Sequence, residues 1–141
     1  MARSSHNFII EAESVWRSYR RGSETINACA GIDLKVEKGS MVAIVGRSGS
    51  GKTTLLNLLG GLDSATRGWI NVCGSEITAM KESELVKFRR GKVGFIFQLF
   101  YLIPTLTVRD NVELPLIFSR NRNREKVQEV LEKIGIMEQQ R

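Results

Sequence analysis

Apolar and polar positions follow two different patterns along this chain. Phe8 to Trp16 and Ile32 to Val36 place an apolar side chain at about every second position, the period of a half-buried strand. Met41 to Val45 and Val93 to Phe97 show no such alternation, which is typical of central parallel strands that are covered on both faces. The chain is therefore predicted to contain two kinds of strand.

Helical segments alternate with these strands. Helices are predicted from about Thr53 to Leu62, near Glu82 to Arg90, and from Arg124 to Ile134 with Gly135 as the cap of the last one. A further short strand is predicted at Trp69 to Cys73. Strands that alternate with helices in this way indicate an α/β fold.

Composition indicates one globular domain. The chain has 141 residues, of which 42% are hydrophobic and 26% charged, and it contains no apolar run of the length that a membrane span needs. Its cysteines, Cys29 and Cys73, lack the spacing of a metal or redox motif, so we expect buried reduced thiols and a cytoplasmic protein. No apolar h-region follows Met1 to Asn7, so a secretion signal is not expected there.

The net charge of +6 comes from scattered groups of basic residues. None is interleaved with aromatic residues, as a base-stacking surface would be. Solvated faces are therefore favoured over a nucleic-acid surface. The groups are Arg17, Arg20 and Arg21; Lys87, Arg89, Arg90 and Lys92; and Arg120, Arg122, Arg124 and Lys126.

The pattern Gly-x-x-x-x-Gly-Lys-Thr lies between the apolar run that ends at Val45 and the predicted helix that follows. Its glycines allow successive N–H groups to point at one phosphate, and the next helix adds its positive N-terminal end. Lys52 is expected to reach the β- and γ-phosphates and Thr53 to bind Mg²⁺. The alternative is a Gly/Ser-rich surface loop, which the strand and helix on either side disfavour. A nucleoside triphosphate with Mg²⁺ is thus the expected ligand, with these binding residues: Gly46, Ser48, Gly49, Ser50, Gly51, Lys52, Thr53 and Thr54.

The phosphate loop, its spacing to Gln98, and the stretches Gly60 to Asp63 and Thr66 to Gly68 resemble the ATP-binding subunits of ABC transporters, most of all the lipoprotein-release and macrolide-export type. The resemblance implies a P-loop NTPase core, with a partial parallel sheet and flanking helices, an N-terminal antiparallel β subdomain and a truncated helical subdomain. The implied boundaries are about 1–40 and 68–76 for the β subdomain, 41–67 and 77–98 for the core, and 99–141 for the helical part.

The resemblance also assigns residues outside the phosphate loop. Tyr19 stands where the family stacks an aromatic ring on adenine, although a ring packed on the sheet is the alternative. Gln98 matches the glutamine that enters the Mg²⁺ shell or orients water, so it joins Lys52 as a catalytic candidate and Thr53 as a metal candidate. Leu99 to Leu106 would face a membrane permease, which places the protein at the inner face of the cell membrane.

Several catalytic motifs of the family are not found in these 141 residues. The Leu-Ser-Gly-Gly-Gln signature is absent, and no aspartate follows four apolar residues as the Walker B aspartate does. His6 comes too early in the chain to be the switch histidine. We therefore expect ATP binding without efficient hydrolysis by this chain alone and a possible dimer with a complete ATP-binding subunit. Unpaired edges are expected beside the two apolar strands, with marginal stability or self-association as the result.

Two other functions remain open. One is a non-catalytic remnant that binds nucleotide or a permease without turnover. The other is a small P-loop kinase in which Arg120 to Arg124 serves as a lid, but that reading leaves Tyr19 and Gln98 unexplained.

Overall fold

The chain forms two compact units, the first ending at Phe95 and the second beginning at Ile96. The computed structural model describes residues 7–118 and 124–136. Within those ranges, every strand belongs to the first unit, whereas the second contains helices and loops.

The first unit contains a four-stranded antiparallel sheet. Its strands stand in the order β2-β1-β3-β4. The first two form a long hairpin because Gly22, at φ +62°, opens a two-residue turn between the paired residues Arg21 and Glu24. The strands are β1 (Phe8–Arg21), β2 (Glu24–Glu37), β3 (Arg67–Val72) and β4 (Ser75–Glu76).

Strand β1 bulges at Ser14. The register with β2 shifts between Ala12 and Val15, and Ser14 takes the left-handed φ of +47°. Its N–H donates to Asp33 Oδ1 at 2.7 Å, which replaces the ladder bond lost at the bulge. Gly68 approaches the Ser14 carbonyl so closely that a Cβ at position 68 would lie 2.3 Å from that oxygen. Glycine at position 68 thus allows β3 to pack directly against the bulge in β1.

Two helices of the first unit are α1 (Lys52–Leu59) and α2 (Glu82–Lys92). Helix α1 ends in a Schellman motif, with Gly61 at φ +68° and the Leu62 N–H donating to the Asn57 carbonyl at 2.8 Å. The Arg89 guanidinium donates to the Gly61 carbonyl and binds Glu82 at 2.9 Å, so α2 is tied to the end of α1.

One apolar core holds the sheet, α1 and α2 together. Helix α1 presents Leu55, Leu58 and Leu59 to it, spaced for one helical face. The strands supply alternating residues from the facing side of the sheet. The remaining buried members are Ala12, Val15, Cys29, Ile70, Val72, Ile77, Leu85 and Phe88.

The second unit contains α3 (Val108–Phe118) and α4 (Arg124–Lys133), which contact each other. Thr107 and Asp110 form a reciprocal cap at the start of α3, with the Asp110 N–H donating to Thr107 Oγ1 at 3.1 Å. On α4, Val127 and Leu131 are one turn apart and fully buried. Gly135 ends this helix as predicted, at φ +71°. No helix within the described ranges is long and apolar enough to span a bilayer.

The predictions of central parallel strands at Met41 to Val45 and Val93 to Phe97 were wrong for this structure. Both segments have irregular backbone, and Met41 and Ile96 are fully exposed. A parallel strand is stabilised by neighbours on its edges, and no strand in the described residues pairs with either segment. Only Ile44 and Val93 pack against the core. Because neither segment forms a strand, the unpaired strand edges expected beside them do not form either.

Candidate functional site

The backbone of the phosphate loop is shaped by its glycines. Gly49 and Gly51 have φ values of +77° and +87°, a region that L side chains seldom occupy. Between them, the Ser50 N–H donates to the Arg47 carbonyl at 3.2 Å and closes a turn. At Gly46 a Cβ would lie only 2.7 Å from Ser50 Oγ. The left-handed backbone thus favours glycine at positions 49 and 51, and a side chain at position 46 would displace the Ser50 hydroxyl.

Gly51 also fixes the loop to the sheet. A Cβ at this position would lie 2.1 Å from the carbonyl oxygen of Ala28 in β2 and 3.9 Å from the Sγ of Cys29. Since 2.1 Å is far inside van der Waals contact, only glycine permits this approach. The close contact sets the position from which α1 begins.

The start of α1 offers backbone donors to an anion. The Leu55 N–H donates to the Gly51 carbonyl at 2.8 Å as the first bond of the helix, so the N–H groups of Lys52, Thr53 and Thr54 have no intrahelical acceptor. No side chain caps this end, and the first turn contains no acidic residue. The partial positive charge of the helix terminus is therefore available for a phosphate group.

Lys52 brings a full positive charge to the same place. Its Nζ donates to the carbonyl oxygens of Gly46 and Arg47 at 2.9 and 2.7 Å, with Ser50 Oγ at 3.5 Å. The ammonium group at the end of the loop thus binds the carbonyls of Gly46 and Arg47 at its beginning. This arrangement holds the loop closed and keeps the positive charge on the loop.

The arrangement suits Mg²⁺ only when the ion arrives with phosphate. No group of three His, Cys, Asp or Glu side chains in the part of the chain that the structure describes could hold a metal ion. Thr53 is exposed in the first turn of α1 and could supply one hydroxyl ligand. Mg²⁺ in nucleotide sites takes few protein ligands and completes its shell with phosphate oxygens and water, so one hydroxyl fits that chemistry.

Tyr19 lies on the same strand pair that supports the loop. It pairs with Ile26 of β2, two residues from Ala28, which is a separation of about 7 Å along the strand. The Tyr19 hydroxyl donates to Asp63 Oδ2 at 2.6 Å, and the Arg17 guanidinium lies over the ring, 4.5 Å from its centroid. Tyr19 is 38% exposed, so part of its surface is open to a ligand, and its stacking on adenine stays a prediction.

Arg17 and Asp63 form an ion pair beside Tyr19. Nε of Arg17 donates to Oδ2 at 3.0 Å, and Nη2 lies 2.6 Å from Oδ1. The interaction with the Tyr19 side chain, and then the charge of Asp63, raise the pKa of Arg17, while burial opposes them. Arg17 is therefore a permanent positive partner for Asp63 at neutral pH. Sequence reasoning gave Arg17 and Asp63 no role, and no short motif signals their pairing across 46 positions.

Gln98 is exposed and belongs to the second unit. Its expected place beside the phosphate loop stays a prediction. The residues after it expose apolar side chains, with Leu99 at 66%, Phe100 at 87% and Leu102 at 65%. His6 and the basic residues at 120 and 122 lie outside the described residues.

Asn111 organises the end of this exposed segment, a role that sequence reasoning missed. Its side chain accepts from the Ile103 N–H at 2.8 Å and donates to the carbonyls of Ile103, Leu106 and Thr107. The Thr-x-x-Asp pattern from Thr107 to Asp110 was a readable signal for the adjoining helix start.

The fold and the phosphate loop together define the class of protein. The family model described as ABC transporter matches residues 29–141, and the chain belongs to this family. The family contains ATP-binding subunits, so the resemblance seen in the sequence is confirmed, as is the α/β P-loop fold class.

Individual relatives show which ATP-binding proteins this chain is similar to. The chain is 45% identical over 133 residues to the bacitracin export ATP-binding protein BceA of Halalkalibacterium halodurans, covering 92% of this chain and 53% of the relative. It is 36% identical over 131 residues to the lipoprotein-releasing system ATP-binding protein LolD of Alcanivorax borkumensis, covering 91% and 58%.

Solved structures agree with the sequence relatives. A dimeric ATP-binding cassette in a post-hydrolysis state, bound to ADP and Pi, superimposes with a TM-score of 0.79 at 40% identity. The match covers 87% of this chain and 56% of that one. The chain thus spans about half the length of the ATP-binding proteins and the cassette that it matches.

The thiol of Cys29 lies under the phosphate loop and is predicted to react slowly. Burial, and then the negative charge of Asp63, raise the pKa of Cys29, which is 4% exposed. Because the thiolate is the reactive form, we expect alkylation at pH 7 to be at least about tenfold slower at Cys29 than at the half-buried Cys73. Mass spectrometry of the native chain after timed iodoacetamide treatment measures both rates.

Alkylation of the unfolded chain is the control, since both cysteines should then react at similar rates. Equal rates in the folded chain would contradict the prediction. The raised pKa favours the thiol in the folded state, so its stabilising effect is present below the unfolded value of about 8.5 and is lost as the pH rises through the folded value.

Proposed function

We propose that this chain is the nucleotide-binding part of an ABC transporter ATP-binding subunit and that it binds ATP with Mg²⁺. The observation that carries the proposal is the closed phosphate loop: Lys52 Nζ binds the carbonyls of Gly46 and Arg47, and α1 begins at the loop with N–H groups that have no intrahelical acceptor. Backbone donors, a helix N-terminus and a lysine together are the chemistry that recognises a triphosphate.

The residues of the site have separate tasks in this proposal. The loop from Gly46 to Gly51 holds phosphate oxygens through its N–H groups, and Lys52 neutralises their charge. Thr53 supplies a ligand to the Mg²⁺ that enters with the nucleotide. The exposed ring of Tyr19 stacks on adenine, supported by its place on the strand pair whose residue Ala28 contacts Gly51.

Gln98 and the segment after it are proposed to link the nucleotide to transport. We propose that Gln98 contacts the Mg²⁺ shell or orients water and that Leu99 to Leu106 face a membrane permease. Exposed apolar side chains in this segment, held at one end by Asn111, support a protein contact. Such a contact would hold the protein at the inner face of the cell membrane.

Hydrolysis by the 141-residue chain alone is expected to be inefficient. Water attack on a phosphoryl group needs an aspartate that positions Mg²⁺ and a group that orients water, and the sequence contains no Walker B aspartate with its adjoining glutamate. We propose that productive dimers form with a complete ATP-binding subunit, which would supply the signature motif.

Replacing Lys52 is expected to remove most of the ATP affinity. Lys52→Ala deletes a charge-assisted contact to phosphate and the bonds that close the loop, so Mg-ATP should bind about ten- to a hundredfold more weakly. Isothermal titration calorimetry with the 141-residue chain measures the change, and phosphate release is followed in the same samples.

Lys38→Ala is the matched control, because Lys38 carries the same charge and is exposed in a turn after β2. It should leave the affinity within about twofold. Equal affinities of wild type and Lys52→Ala would refute the proposed site. Phosphate release that depends on Lys52 would instead refute the expectation of inefficient turnover.

A further inference from the structure

The Tyr19 side chain is held from two sides by charged groups. The Arg17 guanidinium covers one face of the ring, and the carboxylate of Asp63 accepts a bond from the hydroxyl. Arg17 and Asp63 are themselves joined at 2.6 and 3.0 Å, so the three side chains form a closed triangle of contacts. We call Arg17, Tyr19 and Asp63 the ring clamp.

Asp63 is itself well placed to anchor the clamp. Its Oδ1 accepts from the Ser64 N–H at 2.7 Å, and its own N–H donates to the Asn57 carbonyl at the Schellman end of α1. Helix α1 is eight residues long, about 12 Å, and its other end begins at the phosphate loop. One short rigid element therefore connects the clamp to the loop.

The clamp is only partly exposed. The Arg17 and Asp63 side chains are 24% and 19% exposed, which weakens the screening of their interaction by water. Tyr19 as a whole residue is 38% exposed, and one face of its ring is covered by Arg17. A ring in this state has little freedom to rotate and still has surface that a planar ligand can cover.

We propose that Arg17 and Asp63 are positioning residues that fix the Tyr19 ring for stacking on the base of the nucleotide. A free tyrosine would lose rotational freedom on stacking, whereas a clamped ring has already lost it when the chain folds. Arg17 also pairs with the carboxylate of Asp63, so that its negative charge is not left uncompensated near a polyanionic ligand. The inference rests on the proposed stacking of Tyr19 on adenine.

A comparison of two ligands tests this role. Mg-ATP has a base and Mg-tripolyphosphate has none, so only the first reports on the ring clamp. Calorimetry on the 141-residue chain should show that Arg17→Leu weakens Mg-ATP binding about three- to tenfold and changes Mg-tripolyphosphate binding by less than about twofold. Arg17→Lys should recover only part of the loss, because lysine keeps the charge but lacks the planar fork.

Arg20→Leu is the matched control, because it removes the same charge from an exposed position on β1. It should leave the ratio of the two affinities unchanged. A parallel loss of both ligands in Arg17→Leu would overturn the proposal and indicate a purely structural role, and so would unchanged binding of both. If wild type itself does not prefer Mg-ATP over Mg-tripolyphosphate, the proposed base stacking fails, independently of Arg17.

Discussion

Gly51→Ala is expected to destabilise the folded chain by about 3 kcal/mol or more. The alanine must adopt a φ near +87°, which costs about 1–2 kcal/mol for an L residue. In addition its Cβ would stand 2.1 Å from the Ala28 carbonyl oxygen, so either α1 or β2 must move. Urea unfolding followed by circular dichroism without nucleotide measures the change.

Gly49→Ala separates these two costs. Gly49 has a similar φ of +77°, but no atom lies within 4 Å of the position that its Cβ would take. We expect this variant to lose only the conformational part, about 1–2 kcal/mol. Equal losses in Gly49→Ala and Gly51→Ala would show that the contact with β2 does not constrain the loop.

Gly68→Ala is the second substitution with a large expected effect. At φ +93° a Cβ would lie 2.3 Å from the Ser14 carbonyl oxygen and 2.7 Å from that of Glu13, both in the backbone of β1. Relief would require separating β3 from the bulge, at a cost of about 3 kcal/mol or more. The same urea titration applies, and a preserved midpoint would contradict this expectation.

Gly74→Ala is the matched variant at the other end of β3. Its φ of +74° is also left-handed, whereas nothing lies within 4 Å of the added Cβ. The loss there should be about 1–2 kcal/mol. The difference between Gly68→Ala and Gly74→Ala then measures the close packing of β3 on β1.

Sequence patterns predicted the elements that are stabilised by local contacts. The phosphate loop and the helix after it follow from a motif in which each residue acts on near neighbours, and Gly135 ends α4 by a local motif. The strands of the β1–β2 hairpin are longer than predicted, because the alternation of apolar and polar residues weakens beyond Trp16. The Gly22-Ser23 turn was a signal for the hairpin.

Two features that sequence reasoning missed or predicted wrongly depend on contacts between distant parts of the chain. Met41 to Val45 has the composition of a central strand, but composition does not supply the neighbouring strands that such a segment needs. The Arg17–Asp63 pair joins a strand to the end of a helix, and no periodic pattern relates the two positions. The place of Gln98 beside the phosphate loop stays a prediction.

The contact between Gly51 and Ala28 has a consequence for suppressor genetics. The atom that opposes any side chain at position 51 is a backbone carbonyl oxygen, which every amino acid at position 28 would retain. A second-site change of Ala28 therefore cannot relieve the clash by removing a side chain. Revertants of Gly51→Ala should restore glycine itself or carry changes that shift the path of β2.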